Sequence, residues 1–416
     1  MFTTRMPVVW LMASLFLAAC SGSYDADDID ESHDHEHTAA LLFTDKNTPS
    51  VSYYDAQEDS FETLGDAWGN AGRLTLADNG LAAAILANGQ VNFVLMPDEH
   101  DEESEEEEAH AEPEMVALSL AASQVISSQN HFVLLADSAT SALVPVETLA
   151  DAETAEEELQ LANQTQAAVM LDEEDGYFLM FADGLATVYQ LDGETLTATA
   201  TSIACSDPAQ LAQQEEMVVF NCSEGVRYLA IDGEGSFTAG AVASDTALTA
   251  PAWQAAGHGF FALENNVLLQ LHTDEEPPAV EVADVVDGEA SVSFSGNLCA
   301  IAIETEAQET LYLLNDQGLL YILALPDHDS EEESLSLAGR IQLDESPLPM
   351  SCDQLFLQGG AASAVAVDNQ IGKAYLIDAD DGPYHIHQRL NLPASLDVAD
   401  FRILQEKAVE GHDHEE

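Results

Sequence analysis

Three histidines alternate with carboxylates in His33-Asp34-His35-Glu36-His37, and a shorter version returns at His412-Asp413-His414. Two acidic stretches between them carry more. PDEHDEESEEEEAHAEP, from Pro97 to Pro113, holds His100 and His110, and DHDSEEE, from Asp327 to Glu333, holds His328. Eight of the 13 histidines fall in these tails and loops, which make up under an eighth of the chain, and core packing does not explain a histidine in so polar a tract. An imidazole above about pH 6.5 offers a nitrogen lone pair and is the commonest protein ligand for zinc, copper or nickel; carboxylates add charge and further ligands. The alternate spacing lets His33, His35 and His37 converge on one cation when the segment wraps it. A site of that kind exchanges metal readily, which suits capture and delivery better than catalysis.

The other five histidines lie on or beside apolar strands. His131, His258 and His272 each read as a single hydrogen-bonded structural residue, whereas His385-Ile386-His387 places two imidazoles on the same face of a strand. Asp378 to Gly382, DADDG, lacks the full ligand spacing of a calcium loop. The chain has no GxSxG elbow, no HExxH, no phosphate-cradling glycine loop and no paired acid and base, so no enzyme is expected.

The elements that must position these residues repeat. A short apolar strand, a tight polar turn and a second apolar strand, usually ending in Asp, begin at Leu41, Ala82, Tyr177, Met217, Phe260, Leu311 and Ser363, with a weaker copy at His131. Asn-Gly, Asp-Gly, Asn-Asn or Gln-Gly supplies the turn, which marks each as a hairpin. Starts about 40 to 52 residues apart match the repeat of β-propeller blades, which bury their faces only by closing into a ring. The pattern predicts an all-β chain, an eight-bladed propeller over residues 39–405, with seven blades as the alternative if the copy at His131 is not a blade. Acidic insertions at 98–114 and 327–333 then read as loops on the scaffold. Residues 20–38 and 406–416 read as disordered tails too polar to pack. The one helical pattern, DAETAEEELQLANQ from Asp151, reads as a short insertion or turn helix.

Arg5 precedes the apolar run VVWLMASLFLAA, too short for a membrane span, which ends in Leu17-Ala18-Ala19-Cys20. This has the form of a bacterial lipobox. Residues 1–19 are expected to be a cleaved signal, Cys20 to carry lipid, and Ser21 at the next position favours the outer membrane, facing the periplasm. Cys205, Cys222, Cys299 and Cys352 then lie in an oxidising compartment, where two disulfides are expected. Their order suggests Cys205 with Cys222 and Cys299 with Cys352, out of three possible pairings.

Charge limits the partners. Against 77 acidic residues stand 9 basic ones, a formal net charge of −68. Nucleic acid and anionic headgroups are repelled by such a field, while small cations and basic proteins are attracted. Apolar residues at 46% of the chain suffice for a large core.

The export signal, the HDHEH tail, the blades LLFTDKNTPSVSYYD and GQVNFVLMPDEHDEESEEEEAHAEP, and the segment CSDPAQLAQQEEMVVFNCSEGV together resemble the AztD-type periplasmic zinc metallochaperones. The resemblance covers most of the chain and implies a propeller that carries Zn(II) to the solute-binding protein of a zinc ABC importer. By position it implies metal binding at His33, His35 and His37, at His100 and His110 after the second blade, and at His131 opening the third hairpin. His385, His387, His412 and His414 are further metal candidates from the residues alone. The chain departs from the family at Ala209-Gln210-Leu211, where members carry a histidine and a glycine, and in its lipobox. The alternative reading is a cell-envelope interaction scaffold with no specific metal.

Overall fold

Strands form because Val, Ile, Leu, Phe and Tyr crowd the hairpin arms, and the arms are joined by residues that accept left-handed backbone. At Asn88-Gly89, Asp183-Gly184 and Asn265-Asn266 both turn residues have positive φ, between 50° and 78°. That is the two-residue turn whose twist matches that of the flanking strands. The computed structural model describes residues 40–404, with interruptions of which the longest are 97–112, 150–156, 160–166 and 327–333.

Eight antiparallel sheets result, each built on a four-strand meander. All eight hairpins read from the sequence, the weak copy at His131 included, are the second and third strands of a blade. The eight-bladed reading therefore holds and the seven-bladed one falls. The sixth blade gains a short parallel strand, Ala243–Ser244, and the seventh gains Val285–Asp287 and Ala290–Ser291. Of the stretch from Asp151 expected to be a short insertion or turn helix, the described part, Glu157–Leu159, is a strand paired with Ser141–Leu143, the outer edge of the third blade, and the rest lies outside the described residues. Edge pairing there overrides a helical propensity worth only tenths of a kcal/mol per residue.

The ring closes through its two ends. Val398–Leu404 pairs antiparallel with Ala40–Asp45, Ala40 opposite Leu404, so the last described strand completes the first blade from the inside. Alternation then divides each strand between two neighbours. Leu41 and Phe43 pack with Val365 and Val367 of the last blade, while Leu42 packs with Ile85 and Val94 of the second. Every apolar cluster lies between adjacent blades in this way. Leu41, Leu42 and Phe43 are wholly buried, each stabilising the ring by about 1.5 to 3 kcal/mol. Where the first strands of blades seven and eight approach, a Cβ on Gly359 would stand 1.8 Å from the Ile303 carbonyl oxygen, so only glycine fits.

A meander of this kind gives the ring two unlike faces. Second-to-third turns and blade-to-blade connections share one, shown by the bonds between them: Ala71 N–H to Asp45 O, Met350 N–H to Asp316 O, Lys46 N–H to Asp397 O. Both disulfides lie there. Cys205, in a blade connection, joins Cys222, at a turn, with Cα atoms 5.0 Å apart; Cys299 joins Cys352, 4.9 Å apart. This is the disulfide face. First-to-second and third-to-fourth connections, and both ends of the described chain at Ala40 and Leu404, lie on the other, the tail face.

Candidate metal centre

Every described histidine stands at or near a strand end on the tail face. His131 opens the second strand of blade three, His272 closes the third strand of blade six, and His385 and His387 belong to the start of the last blade's outer strand, His385–Asn391. The residues flanking the other nine histidines are likewise strand ends on this face, among them Leu95 and Glu114, Ala256 and Gly259, Ala324 and Leu335, Ala40 and Leu404. His33, His35, His37, His100, His110, His412, His414 and Cys20 themselves lie outside the described residues, as do His258 and His328.

Two strands of the last blade build a cluster. Lys373–Asp378 and His385–Asn391 pair so that Asp378 lies opposite His385 and Ile377 opposite Ile386; the register then shifts by one, leaving His387 as the extra residue of a bulge. Tyr384 and Ile386 turn inward against the cluster between blades seven and eight, where the Tyr384 ring meets Tyr312 edge-on at 6.4 Å. His385 and His387 alternate with them and are exposed. Both imidazoles meet the same carboxylate. His387 Nδ1 lies 3.1 Å from Asp378 Oδ2 and His385 Nδ1 lies 3.5 Å from Asp378 Oδ1, with the rings 6.4 Å apart at 57°.

These distances suit a shared cation. Bonds of about 2.0 to 2.2 Å in a tetrahedral zinc site put ligand atoms about 3.4 Å apart. The three donor atoms here lie within 4.8 Å of one another, and no other group of three such residues is found among the described residues. Asp378 is largely covered, at 15% side-chain exposure, and its buried Oδ1 accepts no well-formed hydrogen bond among the described residues. A buried acceptor of that kind costs free energy until a proton or a cation satisfies it. Two imidazoles and one carboxylate form a ligand set used for zinc and other first-row ions, with at least one position left for water or an incoming ligand.

Sequence reading singled out His385 and His387 and weighed Asp378 only as part of a calcium loop, which it set aside. The signal was present, an Asp closing one hairpin arm and two alternate histidines opening the next, but the pairing across the turn had to be known. His131, expected from the resemblance, is half-buried in another blade, opposite Ser128 and Pro145, and does not join this group.

No protein-family model and no curated protein matches the chain. Among solved structures, apo AztD from Citrobacter koseri superposes with a TM-score of 0.65 at 11% identity, over 89% of this chain and 99% of that one. A second Citrobacter koseri AztD crystal structure gives 0.66 at 10% identity with the same coverage. The dihydro-haem d1 dehydrogenase NirN gives 0.52 at 9% identity over 87% of this chain and 74% of its own. At such identities the likeness establishes the fold. That fold carries a dehydrogenase as well as AztD, so it does not itself assign an activity.

Proposed function

We propose that this chain is a zinc-binding, metallochaperone-like protein, exported and lipid-anchored at Cys20, that takes up Zn(II) on its tail face and passes it to the solute-binding protein of an ABC importer. The convergence of His385 and His387 on Asp378 carries the reading. Support comes from the fold shared with AztD across nearly all of both chains and from the tail-face setting of every histidine-bearing connection. The net charge of −68 would draw divalent cations toward the surface. Transfer needs no catalysis: an open site with two imidazoles releases its ion by exchanging one ligand at a time, and His33, His35, His37, His100 and His110 supply further partial coordination.

Zinc titration of the mature protein tests this against two variants, His385→Ala with His387→Ala, and the fivefold change of His33, His35, His37, His100 and His110 to Ala. Each is expected to lose a class of sites, and a competition assay with an importer binding protein should show slower delivery. Affinity and stoichiometry unchanged in both variants would overturn the proposal and favour an envelope scaffold without specific metal.

A further inference from the structure

Cations are scarce in this chain, and three of its nine Lys and Arg residues line one cavity. The space is about 540 Å³ and is bounded by Lys46, Arg73, Leu74, Asp400 and Arg402, with Ala71 to Gly72 at its edge. It lies between the first strands of blades one and two, Val398–Leu404 and Arg73–Leu76, beside the Lys46 turn on the disulfide face. The nine lining residues are about 2% of the chain, so even scatter would place a fraction of one cation among them.

Local neutralisation explains part of this gathering and not the rest. Lys46 Nζ lies 3.4 Å from Asp397 Oδ1, and Arg402 Nη1 donates to Asp400 Oδ1 at 2.6 Å and to the Phe401 carbonyl at 2.7 Å. Asp400 Oδ2 is held by the Leu74 N–H at 3.0 Å, so that carboxylate is already shared. Arg73, by contrast, has no carboxylate partner among the described residues, and Arg402 commits one of its three guanidinium nitrogens to these bonds. The lining thus carries three positive charges against one negative. Whole-molecule repulsion is screened beyond about 8 Å at physiological salt; within that range Asp397 and Asp353 offset Lys46 and Asp400 offsets Arg402, which leaves Arg73 to supply the unneutralised charge.

We infer that this cavity binds a small polyvalent oxyanion, a carboxylate or phosphate compound about the size of citrate or smaller. Arg73 and the free guanidinium edge of Arg402 supply paired N–H donors matched to a planar carboxylate or to two phosphate oxygens, and Lys46 supplies a point charge. The cavity volume falls within the range of small-molecule sites. The pocket is on the face opposite the described histidines, so it is independent of the metal centre.

Titration calorimetry of the intact protein with citrate and, separately, inorganic phosphate at about 0.15 M salt tests the inference. Saturable binding of at least one probe is expected, and the tighter of the two identifies the anion class. Arg73→Gln, which removes no described ion pair, should weaken it about tenfold, or about 1.4 kcal/mol. Lys46→Gln should act in the same direction, while Arg227→Gln, in blade five, should leave affinity unchanged. Absence of saturable binding of either probe to the wild type, or equal affinity in Arg73→Gln, would overturn it.

Discussion

Asp45 and its neighbours on one face of the ring and Asp378 on the other keep different company. On the disulfide face they serve the backbone. Asp45 Oδ1 accepts from the N–H groups of Asn47 and Thr48, both at 2.7 Å, and Oδ2 from the N–H of Asp397 at 2.8 Å, which ties the first blade to the connection from the last. Asp397 in turn accepts from the side chains of Asn369 and Asn47, and Asp316 from the N–H and side chain of Asn297. On the tail face, Asp378 instead meets two imidazoles and keeps a buried oxygen without a hydrogen bond. The first arrangement is fully satisfied by the protein itself and stiffens the ring. The second is satisfied only by something that can come and go.

That contrast predicts that changes around Asp45 and the bridges cost stability and that changes around Asp378 cost binding. The largest effect is expected from replacing Cys299 and Cys352 together by serine: releasing a bridge that spans 53 residues should cost about 4 kcal/mol in denaturant unfolding. Next comes Asp45→Ala. It strands N–H groups of two blades and should cost about 3 kcal/mol in the same measurement.

The same carboxylate predicts an acid limit. Burial alone would push the Asp45 carboxyl up, but the N–H groups of Asp397, Asn47 and Thr48 outweigh it and hold the group below the usual carboxylate range. The Asn369 amide does the same for Asp397, against the pull of burial. A folded value below the unfolded one means that the stabilisation is complete above about pH 4 and is lost as pH falls further. The gap in melting temperature between wild type and Asp45→Asn should therefore be constant near neutrality and narrow below about pH 4. A gap that stays constant through that range would remove Asp45 from ring closure.

The smallest stability effect belongs to the tail face. His385→Ala with His387→Ala should leave unfolding within about 0.5 kcal/mol of wild type, because both rings are exposed. Zinc at a hundred times its dissociation constant should stabilise a one-site protein by about 2.7 kcal/mol, and the part of that gain due to this cluster should vanish in the double variant. A histidine pair whose loss destabilised the apoprotein as much as Asp45→Ala would erase the distinction between the faces.

How far the sequence disclosed this depends on what each part needs. The middle hairpins were legible because apolar arms and turns such as Asn88-Gly89 are local signals, and together they were enough for the blade count. Inner and outer strands were harder. His385–Asn391 and Leu335–Gln342 alternate between exposed and covered positions and carry no turn of their own, so they become strands only when a neighbour offers an edge. For the same reason Glu157–Leu159 reads as helix in isolation and pairs as strand in place. Cysteine order was informative because each bridge joins nearby segments on one face, a connection to a turn for Cys205 and Cys222, and the start of blade seven's first strand to the following connection for Cys299 and Cys352. The metal cluster lay beyond local reading: the value of Asp378 depends on its register opposite His385, and the bulge that brings in His387 has no sequence mark.

The closing strand also sets an order of events. Ala40–Asp45 is made early, and its inner partner, Val398–Leu404, emerges from the ribosome some 360 residues later. Until then a strand with Leu41, Leu42 and Phe43 on its flanks has an unpaired edge, the kind of surface on which chains join to one another. A product that stopped short of Val398 would keep that edge permanently. Such a chain should be lost to aggregation or proteolysis rather than persist as a seven-eighths ring, so completeness of synthesis is checked by the fold itself.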